Sequence, residues 1–215
     1  MFNELFGRRT IDKKIEKKLV KLSLIPSKYF EALYIERSTD IPSHLLDLCE
    51  REERELRGEL LILQKQGIVD TKIEVEKYGL FERIIDATSV MKVVRLLMTE
   101  YKDQIQKEVY KELVKILKNV SELGRVMHQT VEGLYRNYDE AIENVKKLTE
   151  SSKKIITNLT KFKFYNGEEV ARFDLEDLKV QIGTAIRESV QSMLTVGEKI
   201  LYIIEIFSFD HRDIL

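Results

Sequence analysis

Two carboxylates lie four residues apart, Glu82 and Asp86, in the segment FERIIDATSVMKVVRLL. In an α-helix this spacing puts both side chains on one face, where two like charges repel each other unless a cation lies between them. Carboxylate oxygens are ligands for hard divalent cations and for iron or zinc. The pair therefore indicates either a metal site or, because such pairs are common on surface helices, a solvated helix face.

A third carboxylate, Glu52, falls on the apolar stripe that we predict for the preceding helix. A buried carboxylate is costly unless it is paired, hydrogen-bonded or bound to a metal. If these two helices are antiparallel neighbours, Glu52 approaches Glu82 and Asp86 and completes a metal site. The alternative is that Glu52 lies at the edge of the stripe or pairs with Arg51 or Arg83.

Other arrangements of catalytic residues are missing from the sequence. None of the histidines (His44, His128 and His211) has a glutamate three residues before it, so the Glu-x-x-His pattern of ferritin-like di-iron sites is absent. No Gly-rich phosphate loop, G-x-S-x-G or Cys-x-x-Cys motif occurs. We expect Cys49 to be a small buried hydrophobe and His128 to be a packing residue. The sequence therefore predicts no enzymatic activity.

Charge and composition narrow the class of protein. The chain has 36 Lys and Arg against 37 Asp and Glu, a formal net charge of -1, which gives no overall reason to bind nucleic acid. Basic residues concentrate in 8–21, which is either a solvated helix face or a contact for an anionic membrane surface or an acidic partner. A single cysteine fits a reducing cytoplasm, and neither a signal peptide nor a membrane-spanning run is visible. We expect a cytoplasmic protein that can lie at the inner face of the membrane.

Helical periodicity recurs along the chain, which has only 9 Gly and 2 Pro in 215 residues. Pro26 predicts a kink or break near Ile25 in the first helix. The fourth helix has the clearest stripe, with steps of three and four residues that suit antiparallel packing. In all, the periodicity predicts about six long amphipathic helices, at about 11–36, 42–67, 76 or 80 to 103, 109–138, 139–162 and 175–207.

The pattern of these helices indicates an internal repeat. Helix two aligns with helix five, and helix three aligns with helix six. We therefore predict an all-α, up-down fold of two tandem three-helix bundles, residues 1–103 and 104–215, in one compact repeat-built domain. The second-half positions that align with the three carboxylates hold poor metal ligands, so any metal site is confined to the first half; these positions are Ser152, Gln191 and Thr195.

Two three-helix halves, the acidic stretch CEREERELRGELL in helix two and the Glu-x-x-x-Asp motif in helix three resemble the PhoU family. The closer similarity is to its single-chain relatives, often encoded beside low-affinity inorganic phosphate permeases, and it covers essentially the whole chain. The resemblance implies a cytoplasmic regulator of phosphate uptake, often a dimer, whose acidic motifs hold iron or other metal clusters. Only Glu82 and Asp86 match that motif here, with Glu52 as a helper, and Arg54 stands where the relatives usually carry Asp.

We therefore expect a non-enzymatic regulator or adaptor of inorganic phosphate transport that binds a membrane phosphate permease or a signalling protein and can form a homodimer. Its cofactor is either none or a divalent or iron-type metal at a single degenerate site formed by Glu82, Asp86 and Glu52. Two alternatives stay open. One is a metal-binding bundle centred on these carboxylates; the other is a structural module that associates through a coiled-coil-like face of helix four, around Leu123 and Val131.

Overall fold

The computed structural model describes residues 2–39, 44–66, 72–100, 107–161 and 172–210. Every residue in these ranges is α-helical except Leu24 and Asn137, and no strand occurs among them. The predicted all-α fold class is therefore confirmed. No helix within these ranges has both the length and the apolar composition that crossing a bilayer requires.

The first predicted helix is broken into two. α1 and α2 meet at Leu24, next to the predicted break at Ile25, and α3 to α7 correspond to the predicted second to sixth helices. The predicted helix ends at positions 42, 67, 103 and 162 lie outside the described residues. The seven described helices are α1 (Phe2–Ser23), α2 (Ile25–Thr39), α3 (His44–Gln66), α4 (Lys72–Glu100), α5 (Lys107–Arg136), α6 (Tyr138–Lys161) and α7 (Arg172–Asp210).

Asn137 makes the tight junction between α5 and α6. Its side-chain Oδ1 accepts hydrogen bonds from the backbone N–H groups of Asp139 at 3.0 Å and Glu140 at 3.4 Å, which is the N-cap arrangement. The acidic side chains of these two residues also suit the positive end of the α6 dipole. The helices pass close together here, since a Cβ on Gly133 would lie only 3.0 Å from the backbone N of Ala141.

The buried apolar side chains of all seven helices form one continuous core. The most extensive helix contacts are those of α4 with α7, α5 with α6, and α2 with α5. α6 and α5 also contact α7, so the last three helices touch one another pairwise. The core therefore extends across the predicted boundary between residues 103 and 104, because α2 and α4 bury much of their apolar surface against α5 and α7.

The break between α1 and α2 follows from Pro26. A proline has no N–H to donate to the preceding turn, and its ring clashes with the carbonyl of the residue four positions earlier. Leu24 instead closes the end of α1 with a tighter bond, from its N–H to the carbonyl of Lys21 at 3.2 Å. α2 then resumes, with the N–H of Lys28 bonded to the carbonyl of Leu24 at 3.2 Å.

α5 passes directly against this break. A Cβ on Gly124 would lie 2.8 Å from the backbone N of Ser27 and 2.9 Å from its Cα, closer than side chains normally approach. One turn earlier, the buried Ser121 hydroxyl donates a hydrogen bond to the Ser27 carbonyl at 3.0 Å. The glycine thus lets the two backbones touch, and the serine bonds a carbonyl at the start of α2.

We expect Gly124→Ala to lower the free energy of unfolding by about 1–3 kcal/mol, because the added methyl group meets backbone atoms that cannot move aside. Gly58→Ala is the matched control. Gly58 is exposed on α3, with no atom within 4 Å of an added Cβ, so the change should raise the free energy of unfolding by up to about 1 kcal/mol through helix propensity. Urea unfolding of both variants measures this. Equal effects of the two substitutions would contradict the close approach.

Candidate functional site

Glu82 and Asp86 are both exposed on the outward face of α4. Asp86 pairs with Arg83 of the same helix, whose Nη1 lies 3.9 Å from Asp86 Oδ2, and both side chains are more than half exposed. Such a pair contributes little to stability because water screens it. The helix spacing places Ser89, Val93 and Leu96 on the same outward face. The acidic pair is therefore part of a surface rather than of the core.

The prediction that Glu52 interrupts the buried stripe of its helix is wrong. The Glu52 side chain is 42% exposed, and Lys28 of α2 donates hydrogen bonds to its two oxygens at 2.9 and 3.2 Å. The residue that interrupts the stripe is the next one, Glu53, which is 1% exposed. The buried positions of α3 follow alternate steps of three and four residues: Leu46, Cys49, Glu53, Leu56 and Leu60.

The structure does not bring the three predicted metal ligands into one group. Glu52 points to α2, while Glu82 and Asp86 lie on the outward face of α4. Along the α4 axis, Glu53 is level with Lys92, and Asp86 lies six residues or about 9 Å further away. Within the described ranges, no set of three His, Cys, Asp or Glu side chains is placed to hold a metal ion. The described residues thus provide no support for the metal site, which stays a prediction from the sequence.

Glu53 is instead paired with a lysine. Its Oε2 accepts a hydrogen bond from Lys92 Nζ of α4 at 2.9 Å, and its Oε1 is buried without a hydrogen-bond partner among the described residues. A buried carboxylate is stabilised by such a pair but loses its hydration in forming it. The Lys92 side chain, 37% exposed, keeps contact with water. The pair therefore connects α3 to α4 through their side chains.

Arg95 makes a second connection between α3 and α4. Its Nη1 donates to Glu50 Oε1 at 2.9 Å, and both Nη atoms lie 3.1 Å from Asp47 Oδ1. The hydroxyl of the buried Tyr29, on α2, donates to the same Glu50 oxygen at 3.2 Å. Burial, and then the negative charge of Glu50, raises the pKa of Tyr29 well above its usual range. The phenol is therefore a fixed hydrogen-bond donor linking α2 to α3.

Cys49 is a buried thiol, as predicted. Burial raises the pKa of the thiol, and the carboxylates of Glu52 and Glu50 raise it further, while Lys28 opposes them. A raised pKa keeps the sulfur protonated, which is the opposite of what a nucleophilic cysteine requires. Cys49 therefore acts as a small apolar side chain in the core.

His128 contacts the end of α1. Its Nδ1 lies 3.0 Å from Ser23 Oγ, and that hydroxyl donates its proton to the carbonyl of Val20 at 2.8 Å. Because the serine proton is used for that carbonyl, the ring N–H donates to the serine oxygen. Burial lowers the pKa of His128, with Glu132 opposing and Lys28 and Arg136 assisting. The pair is a neutral packing contact, as predicted for His128, and it lies one turn from Gly124.

The polar residues at the aligned positions of the second half differ in burial and in hydrogen bonding. Ser152 is buried and Gln191 is exposed. The hydroxyl of Thr195 donates to the Ser192 carbonyl of its own helix at 2.8 Å. Leu123 and Val131, which we expected on an association face, are 1% and 0% exposed. The expectation that this face of helix four is open to another copy is wrong, because α2, α6 and α7 of the same chain cover α5.

The basic tract 8–21 lies along α1. Lys13, Lys14, Lys17 and Lys21 are exposed, and Lys18 pairs with Glu59 of α3. The side chains of Arg8 and Arg9 lie outside the described part. The lysine face was visible in the sequence, whereas the exposed apolar pair Val93 and Leu96 was not, because both fit the apolar pattern of a core helix.

Comparison of the chain with protein-family models, with curated proteins and with solved structures found no match.

We expect Lys92→Met to lower the free energy of unfolding by about 1–3 kcal/mol, because it leaves the Glu53 carboxylate buried without a partner. The double substitution Lys92→Met with Glu53→Met should recover most of that loss, since two apolar side chains can replace a buried ion pair. Lys118→Met, at an exposed position of α5, is the control for the loss of a lysine. A double variant no more stable than Lys92→Met would contradict the pairing.

We expect His128 to make the protein less stable in acid. The folded-state pKa of His128 is lowered, so the unfolded chain binds its proton first. The free energy of unfolding should therefore fall as the pH drops from about 6.5, the ordinary histidine value, toward the lowered pKa. Denaturant unfolding between about pH 7.5 and 5.5 should give a smaller decrease in His128→Gln than in the unmodified chain. Equal decreases would show that His128 is not the group responsible.

Proposed function

We propose that the protein is a non-enzymatic, PhoU-like regulator or adaptor of inorganic phosphate transport, which acts in the cytoplasm by contact with a membrane phosphate permease. Support comes from the resemblance of the two acidic segments and from the all-helical fold. The observation that carries the proposal is the outward face of α4. On that face Val93 is 46% exposed and Leu96 is 64% exposed. Both lie on the same side of the helix as the acidic pair Glu82 and Asp86.

The chemistry of this face selects a type of partner. Large aliphatic side chains gain free energy when a partner covers them, and neighbouring carboxylates favour cationic groups on that partner. Cytoplasmic loops of membrane proteins carry an excess of Lys and Arg beside the ends of apolar helices. A basic, amphipathic cytoplasmic segment of a permease therefore complements the α4 face in both charge and polarity.

The division into two related halves, 1–103 and 104–215, belongs to the same proposal. If the halves are related by an approximate twofold axis, equivalent helices should meet at that axis. α4 and α7 are equivalent in the predicted repeat, and they make the most extensive contacts between any two described helices. These contacts favour two halves that share one core over two separable bundles.

The test uses the permease itself. The purified chain is titrated onto liposomes that contain an inorganic phosphate permease from the same organism, with empty liposomes of the same lipid as the blank. We expect Val93→Lys with Leu96→Lys to weaken permease-dependent binding by about tenfold or more, because two apolar contacts are replaced by charges.

Val180→Lys is the control, because Val180 on α7 is 65% exposed, about as much as Leu96. It should leave binding unchanged. Binding that does not depend on the permease, or equal losses in the α4 variant and the α7 control, would sink the proposal.

A further inference from the structure

A groove of about 540 Å³ runs between α1 and the end of α5. Its α1 side carries Lys14, Lys17 and Lys21, which are exposed and spaced three and four residues apart. Its α5 side carries Arg136, whose side chain is 72% exposed and whose Nη1 bonds Glu132 at 2.8 Å. A guanidinium carries five N–H donors, so Arg136 keeps donors for a second anion while it bonds the Glu132 carboxylate.

Negative charge in the groove is limited. Glu16 and Glu132 line it together with the basic residues. Glu132 is engaged by Arg136, whereas no described acidic side chain forms an ion pair with Lys14, Lys17 or Lys21. The chain as a whole has a formal net charge of -1, so this face is locally positive on a nearly neutral protein. A local excess of this kind attracts polyanions over roughly one Debye length, about 8–10 Å.

The floor and margin of the groove are apolar and aromatic. Val20 and Tyr135 form part of its lining. Tyr138, at the start of α6, is 40% exposed. Burial first, and then Glu16, raises the pKa of both tyrosines, so the two phenols lie around the same carboxylate at this end of the molecule. Lysine stems and an exposed tyrosine beside an apolar floor are typical of surfaces that meet lipid head groups.

From this arrangement we infer that the lysine face of α1, with the groove to Arg136, docks the protein onto an anionic membrane surface. The positive groups suit many phosphates spread over a plane rather than one enclosed phosphate. The lysines span seven residues of helix, about 10 Å, and end on exposed, flexible stems. None of them is buried in the groove, and a site for a single anion would need fixed donors that converge on it.

The docking does not depend on the acidic face of α4, and it needs no permease. The experiment is co-sedimentation of the full chain with lipid vesicles at about 0.1 M salt. One set contains phosphatidylcholine alone, and the other contains phosphatidylcholine with a third of phosphatidylglycerol. We expect binding to the anionic vesicles only, and we expect it to weaken steeply as salt is added.

The triple substitution Lys14→Glu, Lys17→Glu and Lys21→Glu should weaken binding about 100-fold, since each lysine near an anionic surface contributes about fivefold. The matched control is Lys111→Glu, Lys115→Glu and Lys118→Glu on α5. These lysines are also exposed, lie on one helix with steps of four and three residues, and give the same change in net charge. The control should keep most of the binding.

Each other outcome overturns the inference. Equal binding to neutral and anionic vesicles would show that charge is not recognised, and equal losses in the two triple variants would show that only net charge matters. Release by millimolar inorganic phosphate, but not by sodium chloride of the same ionic strength, would assign the groove to a single phosphate. Tighter binding to a duplex DNA than to vesicles, at equal phosphate concentration, would assign it to nucleic acid. Because the vesicles contain only lipid, none of these results tests the permease contact.

Discussion

The close approach of α5 to the break between α1 and α2 is the constraint on which the packing depends. Pro26 ends the regular hydrogen bonding of the first helix, and the absence of a side chain at Gly124 lets the two backbones touch. Ser121 and His128, on the same side of α5, then bond the chain before and after the break. These bonds hold the chain on both sides of the break, and α2 lies along α5.

The attachment of α3 is different in kind. Its apolar stripe is narrow, and its acidic residues are bonded by basic residues of its neighbours on both sides. Lys18 and Lys28 of α1 and α2 pair with one flank, while Lys92 and Arg95 of α4 pair with the other. Most of these pairs are partly exposed, so each contributes modestly. Their geometry nonetheless selects one rotation and one register of α3, since a shifted helix would leave the Glu53 carboxylate buried without its lysine.

Two surfaces outside this network differ in character. The outward face of α4 combines the pair Glu82 and Asp86 with exposed aliphatic side chains, and the face of α1 carries exposed lysines beside a groove. A membrane surface rich in anionic lipid and the basic loops of a membrane protein occur together at the cytoplasmic side of a bilayer. A protein that docks through α1 and contacts a permease through α4 is therefore physically consistent, because neither surface competes for the other's partner.

The sequence by itself determined the helices. Long runs with steps of three and four apolar residues, few breakers and one internal proline were enough to predict each helix and the break in the first one, because these features act locally along the chain. α1 nevertheless begins at Phe2, nine residues before the predicted start. It could not determine which of two adjacent glutamates is buried. Leucines stand at both positions 45 and 46 and glutamates at both 52 and 53, so two stripes fit α3 equally well. The packing of α3 against the other helices decides between them, and Lys92 of α4 pairs with the glutamate that is buried. Packing also decides the contact of Gly124 with Ser27 and the exposure of the aliphatic residues of α4. Burial and pairing are relations between distant residues, so they are decided when the helices pack.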